Sequence, residues 1–317
     1  MLFLTKSRRV RYILEDVMNF KTIAMLAAAA LVAFAPQLRA SDGWVDDFEA
    51  AKAQAEKEGK DLLLDFTGSD WCGWCIKLHK EVFDHEAFKK DAPKNFILVE
   101  LDFPRGKKLA DKTKAQNDKL AADMGIQGYP TVCLTDSKGR LYARTGYQPG
   151  GPEKYLAHLA ELRKTRTQRD ELFAKADKAS GAEKANLLDE ALTQLEKAEV
   201  NSGYDDVIEQ IVTADADNKG GFKSKYETRK KLDGAVKKAE SGDMNGALTD
   251  VDAIIKQTDL SPAAKQQSYY IKAMLMHHKG DAAATIENLE LSQKADPETD
   301  RAKEMGKIVE QLKAAKK

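Results

Sequence analysis

The chain has 317 residues, enough for about two domains, each with a core of its own. Lys and Arg total 51 and Asp and Glu total 51, so the formal net charge is zero, which excludes a strongly basic nucleic-acid surface as the main business of the molecule. A hydrophobic content of 42% with 32% charged residues excludes a disordered chain, and three cysteines are too few for a disulfide-stapled scaffold.

Residues 22–35 (TIAMLAAAALVAFA) carry no charge but fall short of the about 20 apolar residues that a membrane span needs. Lys21 precedes the run and Leu38-Arg39-Ala40 offers a small residue for cleavage, so residues 1–40 read as a secretory signal peptide, with a mature start at Ser41. Met18-Asn19-Phe20-Lys21 is a normal charged start by itself, which makes residues 1–17 a candidate mis-assigned extension. Arg8-Arg9 as a twin-arginine signal and a retained N-terminal membrane anchor are the alternatives. Each reading makes the protein exported, periplasmic or secreted, where disulfides persist.

Residues 46–58 have helical spacing, with Phe48, Ala51 and Ala55 on one side and Gly59 as the stop. Residues 62–66 (LLLDF) are a short apolar run, the mark of a strand buried on both faces. A helix is predicted over 72–80, a strand over 96–103 and a lysine-rich helix over 108–124, whose lysines from Lys107 to Lys119 read as a solvated face. Strands at 131–135 and 141–147 flank a turn at 136–140, residues 148–152 break the chain, and 153–163 form a closing helix. The order α-β-α-β-α-β-β-α predicts a mixed sheet covered by helices on both faces across residues 41–165, with an antiparallel strand at one edge.

Beyond residue 165 the strand-like runs stop, and Ala, Lys, Glu, Asp and Leu recur at helical spacing, so 166–317 is predicted to be all α. Ala247, Leu248, Val251, Ile254 and Ile255 form one apolar stripe, Tyr270, Ala273, Met274 and His277 a second, and Met305, Ile308, Val309 and Leu312 a third. Ala235, Gly242-Asp243 and Val251 recur 38 positions later as Ala273, Gly280-Asp281 and Leu289, a period that implies stacked helical hairpins. Residues from about 226 onward resemble tetratricopeptide-like repeats in a longer, irregular form.

Trp71-Cys72-Gly73-Trp74-Cys75 sits at a strand-to-helix junction. Two cysteines at this spacing reach disulfide geometry within one helical turn. The first occupies the helix N-terminus, where unsatisfied N–H groups and the helix dipole favour a thiolate; the second lies one turn deeper. Cys72 is therefore the expected attacking thiol and Cys75 the resolving one. Half of a zinc site and a purely structural disulfide are the competing readings; no second CxxC or His pair at ligand spacing accompanies this one.

LLLDFTGSDWCGWC, followed by GIQGYPTVCLTDSKGRLYARTGY, resembles the thioredoxin family over about residues 44–163, and more narrowly its exported bacterial members. The resemblance implies a thioredoxin fold, a cis peptide bond before Pro130, and a loop from Gly128 to Thr131 lying against the disulfide and open to an extended substrate. It also implies that Asp65, buried below the cysteines, moves the proton of the resolving thiol. The lysine that accompanies this Asp in the family is here matched to Leu98, a departure that sets the relay in question. Gly73-Trp74 replaces the family's common Gly-Pro and tunes the thiolate. Trp71 and Trp74 form an aromatic rim, as substrate contacts or as packing groups.

The expected catalytic residues are Cys72, Cys75 and Asp65, and the expected substrate-binding residues are Trp71, Gly73, Trp74, Tyr129, Pro130 and Thr131. Cys133 reads as inert core or, alternatively, a regulatory disulfide partner. His79 reads as a solvated helix residue with Cys75 in reach, and Met274, His277 and His278 as a core stripe in preference to a copper site. The expected activity is exported thiol–disulfide oxidation and reduction with no cofactor beyond the Cys72–Cys75 disulfide. Its partners would be protein thiols and disulfides and an upstream thiol protein; a partner protein or a second copy would bind the helical region, with no nucleic acid and no metal. The rival is a scaffold in which the helical region binds partners and the CxxC domain turns over little.

Overall fold

The computed structural model describes residues 43–258 and 260–314. The signal peptide and its alternatives lie outside them; among the described residues no helix is long and apolar enough to cross a membrane.

The first half is a five-stranded sheet in the order β1-β3-β2-β4-β5. A two-residue strand β1 (Trp44–Val45) leads to helix α1 (Phe48–Glu58), capped where Asp47 accepts the Ala50 N–H at 3.0 Å and ended by Gly59 at φ 65°. Strand β2 (Asp61–Thr67) is buried at every position, as its apolar run predicts. Helix α2 (Gly73–Leu78) continues through a π-helical turn over His79–Phe83, and short α3 (Glu86–Asp91) leads to β3 (Phe96–Asp102). Helix α4 (Asp111–Asp123), β4 (Thr131–Thr135) and β5 (Leu141–Thr145) complete the domain. β1 and β2 run parallel to β3, whereas β4 is antiparallel to β2 and to β5, so the sheet is mixed as expected.

Helix α5 spans Gly151–Ala176 and does not stop at residue 163. No Pro or Gly interrupts the chain between Pro152 and Ser180, so nothing in the sequence ends it sooner. Helices α6 (Gly181–Lys197), α7 (Asp205–Ala214), α8 (Phe222–Glu240), α9 (Met244–Ile255), α10 (Pro262–His278), α11 (Ala282–Ala295) and α12 (Asp300–Ala314) follow. The sheet's core runs on without a gap through Leu188, Leu195, Val207 and Ile211 to Tyr226, and two smaller clusters serve α8–α10 and α10–α12.

The 38-residue repeat has a structural counterpart. Gly242 and Gly280 both take positive φ after a helix, and the Asp243 and Asp281 carboxylates cap the next helix by accepting the Gly246 and Ala284 N–H groups at 2.9 and 3.0 Å. Ala235, Val251, Ala273 and Leu289, the apolar positions of the repeat, are all buried. The stripe expected on α10 is only partly a core face: Met274, His277 and His278 are exposed. The helix is sandwiched, with Leu275 packed into the cluster of α8 and α9 and Ala273 into that of α11 and α12, so burial falls on two faces.

Helices α5 to α7 fasten onto the far edge of the sheet. The Arg144 N–H of β5 donates to Ala198 C=O at 3.0 Å. Buried Arg169 donates to Tyr204 Oη at 2.8 Å and Asp136 Oδ2 at 2.9 Å, and Tyr204 in turn donates to Leu141 C=O at 2.7 Å.

Candidate active site

Cys72 and Cys75 form a disulfide at the start of α2. Cys72 is the N-cap residue, and its Sγ accepts the Cys75 N–H at 3.2 Å. A free thiolate at Cys72 would keep that donor and face the N-terminal end of the helix, both of which favour the anion. Cys72 is 7% exposed and Cys75 1%, so the first sulfur is the more accessible of the two.

The turn before the pair is shaped by Gly68, whose C=O accepts the Cys72 N–H at 2.9 Å. A Cβ on Gly68 would lie 2.6 Å from the Trp71 indole, so only glycine lets that ring fold back over the turn. Trp71 Nε1–H donates to Phe103 C=O at 2.8 Å, and the Arg105 guanidinium lies 3.8 Å from the ring centroid. Asp70 accepts from the Arg105 and Gly106 N–H groups, which hold its carboxyl below the usual carboxylate range and fix the 103–106 loop beside Trp71. Trp71 is thus anchored on one side while 36% of it stays exposed. Trp74 is 58% exposed, leans on Tyr147 at 5.2 Å, and shares the Lys77 ammonium with that ring. Gly73 is exposed and a Cβ there would meet nothing, so the surface above the disulfide is open.

The structure brings the second motif to the first. The Tyr129–Pro130 bond is cis, and the Tyr129 ring meets Trp71 edge-on at 5.8 Å and Phe103 at 5.1 Å. Thr131 Oγ1 donates to Gly128 C=O at 2.8 Å, closing the loop, and Thr131 then pairs with Phe66 of β2. A Cβ on Gly146 would press on the Pro130 carbonyl at 3.1 Å, so the glycine that follows β5 leaves this loop room.

Asp65 is fully buried in the middle of β2. Its Oδ2 lies within hydrogen-bond distance of His79 Nε2, at 2.9 Å, and its Oδ1 has no hydrogen-bond partner among the described residues. Burial pushes the Asp65 carboxyl above its ordinary range, against the pull of His79. His79 is not the solvated helix residue expected from its position. The α2 turn after Cys75 carries it inward, where it packs against Trp44 and Phe83. Desolvation works against its proton, but the Asp65 carboxylate, with Glu100 and Asp84, outweighs this and raises its pKa above 6.5.

The expectation for Leu98 is corrected by the strand register. Leu98 stands opposite Leu63, and the residue opposite Asp65 on β3 is Glu100. Glu100 is itself raised by burial. The position facing Asp65 is therefore acidic, and the nearby cation comes from His79 on the helix. Spacing held a signal for this, since His79 is four residues beyond Cys75 and shares its helix face. Cys133 is fully buried in β4, where burial pushes its thiol up to about 12.

Residues 48–163 match the model of the thioredoxin-like domain family, and residues 222–317 match one described as an uncharacterised protein C-terminal domain. The chain is 31% identical over 121 residues to the disulfide bond reductase DsbH of Chlamydia pneumoniae, covering 38% of this chain and 73% of that protein. It is 27% identical over 135 residues to the thioredoxin-related protein DsbJ of the same organism, covering 40% of this chain and 39% of that protein. A solved DsbH oxidoreductase structure shares 31% identity with a TM-score of 0.38, covering 41% of this chain and 89% of that one.

Proposed function

The chain belongs to the thioredoxin-like family, and from that membership we propose that it is an exported thiol–disulfide oxidoreductase acting on protein clients in the reducing direction. The observation that carries this reading is the Cys72–Cys75 disulfide capping α2 beside the cis-Pro130 loop. The reducing direction is supported by likeness to a relative named as a disulfide bond reductase.

In the reduced protein the Cys72 thiolate attacks one sulfur of a client disulfide and the other client sulfur leaves as a thiolate. Cys75 then attacks Cys72 Sγ, the mixed disulfide breaks, and the second client thiol is released. The pair has lost two electrons and the client has gained them; an upstream thiol protein restores the pair by the same exchange in reverse. The exposed ring of Trp74 and the open face above Gly73 are where an extended client would lie, with Tyr129, Pro130 and Thr131 along its other side. The helical hairpins α8–α12 are a stacked array of the kind that holds a partner protein or a second copy.

A Cys75→Ser chain expressed with its export signal is expected to accumulate mixed disulfides with other proteins on non-reducing gels, and the Cys72→Ser, Cys75→Ser chain none. The absence of trapped partners, together with no equilibration of the wild-type pair with glutathione, would overturn the reading in favour of the scaffold. A reductant is expected to poise at or below the glutathione pool, about −220 mV or lower, and a clearly higher potential would reverse the direction proposed.

A further inference from the structure

An isolated carboxylate in a sheet interior is costly, and a buried carboxylate with one oxygen unpartnered calls for an explanation. Asp65 is such a group, with Oδ2 held by His79 and Oδ1 free among the described residues. The His79 backbone N–H donates to Cys75 C=O, so the imidazole that meets Asp65 at 2.9 Å springs from the helical turn that follows the resolving cysteine. The other charged or titratable groups around this pair are Glu100 and Asp102 from β3, Lys107 beyond β3, Asp84 at the end of the α2 extension and Tyr155 from α5; β1 contributes only the Trp44 ring. Lys107 is occupied by Asp102 at 2.8 Å. His79 is thus the basic side chain within hydrogen-bond distance of Asp65, and Glu100 is the acidic residue directly across from it.

We propose that His79 is a positioning residue for disulfide exchange: its imidazolium keeps Asp65, the residue to which the thioredoxin resemblance assigns the Cys75 proton, in the carboxylate form, and Glu100 works against it. This rests on the oxidoreductase reading above. In the mixed disulfide, Cys75 Sγ–H gives its proton to Asp65. The Cys75 thiolate forms a bond to Cys72 Sγ, the bond from Cys72 to the client sulfur breaks, and that sulfur leaves as a thiolate and is reprotonated by Asp65 or solvent. Without the imidazolium, Asp65 would hold a proton over more of the pH range and accept the next one less often. Without Glu100 it would ionise more readily.

The test uses the full chain, loaded at Cys72 as the glutathione mixed disulfide, with glutathione release followed against pH. His79→Gln keeps a donor and removes the charge; its acid limb is expected to move up by about one pH unit, which makes it about tenfold slower on that limb and unchanged on the alkaline plateau. Glu100→Gln is expected to move the limb the other way. The carboxyl carbon-13 resonance of Asp65 in the reduced chain is expected to titrate with the same two opposite displacements, a readout that a merely structural role would not move. Profiles and titrations that superimpose on wild type in both variants would overturn the proposal. A wild-type chain that releases no glutathione at any pH would instead overturn the oxidoreductase reading, so the two failures are distinguishable.

Discussion

Asp61 and Asp65 stand four residues apart on the same face of β2, both fully buried, and their surroundings treat them in opposite ways. Asp61 is saturated: Tyr142 Oη–H and Arg163 Nε–H donate to Oδ2 at 2.9 Å each, and Arg166 donates to Oδ1. Asp65 keeps one oxygen free. Asp61→Asn is expected to lower the unfolding free energy by about 2 kcal/mol in urea titrations, a discounted figure because both arginines are partly solvated, and to leave glutathione exchange unchanged. Asp65→Asn is expected to do the reverse, slowing the resolving step at little cost in stability. His79 gives a pH signature of stability as well. Its folded pKa is raised above the unfolded 6.5, so its contribution is complete below 6.5 and is lost as pH rises through the folded value. His79→Gln should flatten that slope in pH-dependent denaturation. Asp65 was legible because a charge inside an apolar run is conspicuous. Its neighbour was not, because pairing across strands is fixed by register, and a shift of two positions substitutes Leu98 for Glu100.

At the scale of elements, what the sequence reveals depends on how local the signal is. Strands β2 and β4, the WCGWC turn and the stop at Gly59 are written in contiguous residues and were found where expected. β1 is two residues long and has no periodicity to read. The π-helical turn over His79–Phe83, which carries the imidazole to Asp65, has no sequence pattern that distinguishes it from plain helix. The Gly-Asp turns of α8–α9 and α10–α11 are legible because glycine and an N-cap leave a fixed dipeptide. Asp243→Ala and Asp281→Ala are each expected to cost about 1 kcal/mol in chemical denaturation, and the two costs to add, since the caps lie on separate turns. Gly68→Ala is expected to displace Trp71, seen as a change in its fluorescence, whereas Gly73→Ala should leave fluorescence and melting temperature alone.

For the whole molecule, the change of composition near residue 165 marks the end of strands but not the end of a packed unit. Helix α5 crosses it unbroken, and the core under the sheet continues into α6, α7 and Tyr226. A chain cut at 165 would lose Arg169 and Tyr204 from β5 and uncover Leu141 and Tyr142. It is expected to melt well below the full chain and to be cut readily by protease, whereas loss of α11 and α12 should spare the melting of the sheet domain. The seal that α6 and α7 place on β5 has a further consequence. An open sheet border offers unpaired N–H and C=O groups to any exposed strand and templates aggregation. Here one border is taken by the Ala198 carbonyl and the other is the two-residue β1, so an approaching strand finds little open edge on which to build an amyloid-like ladder.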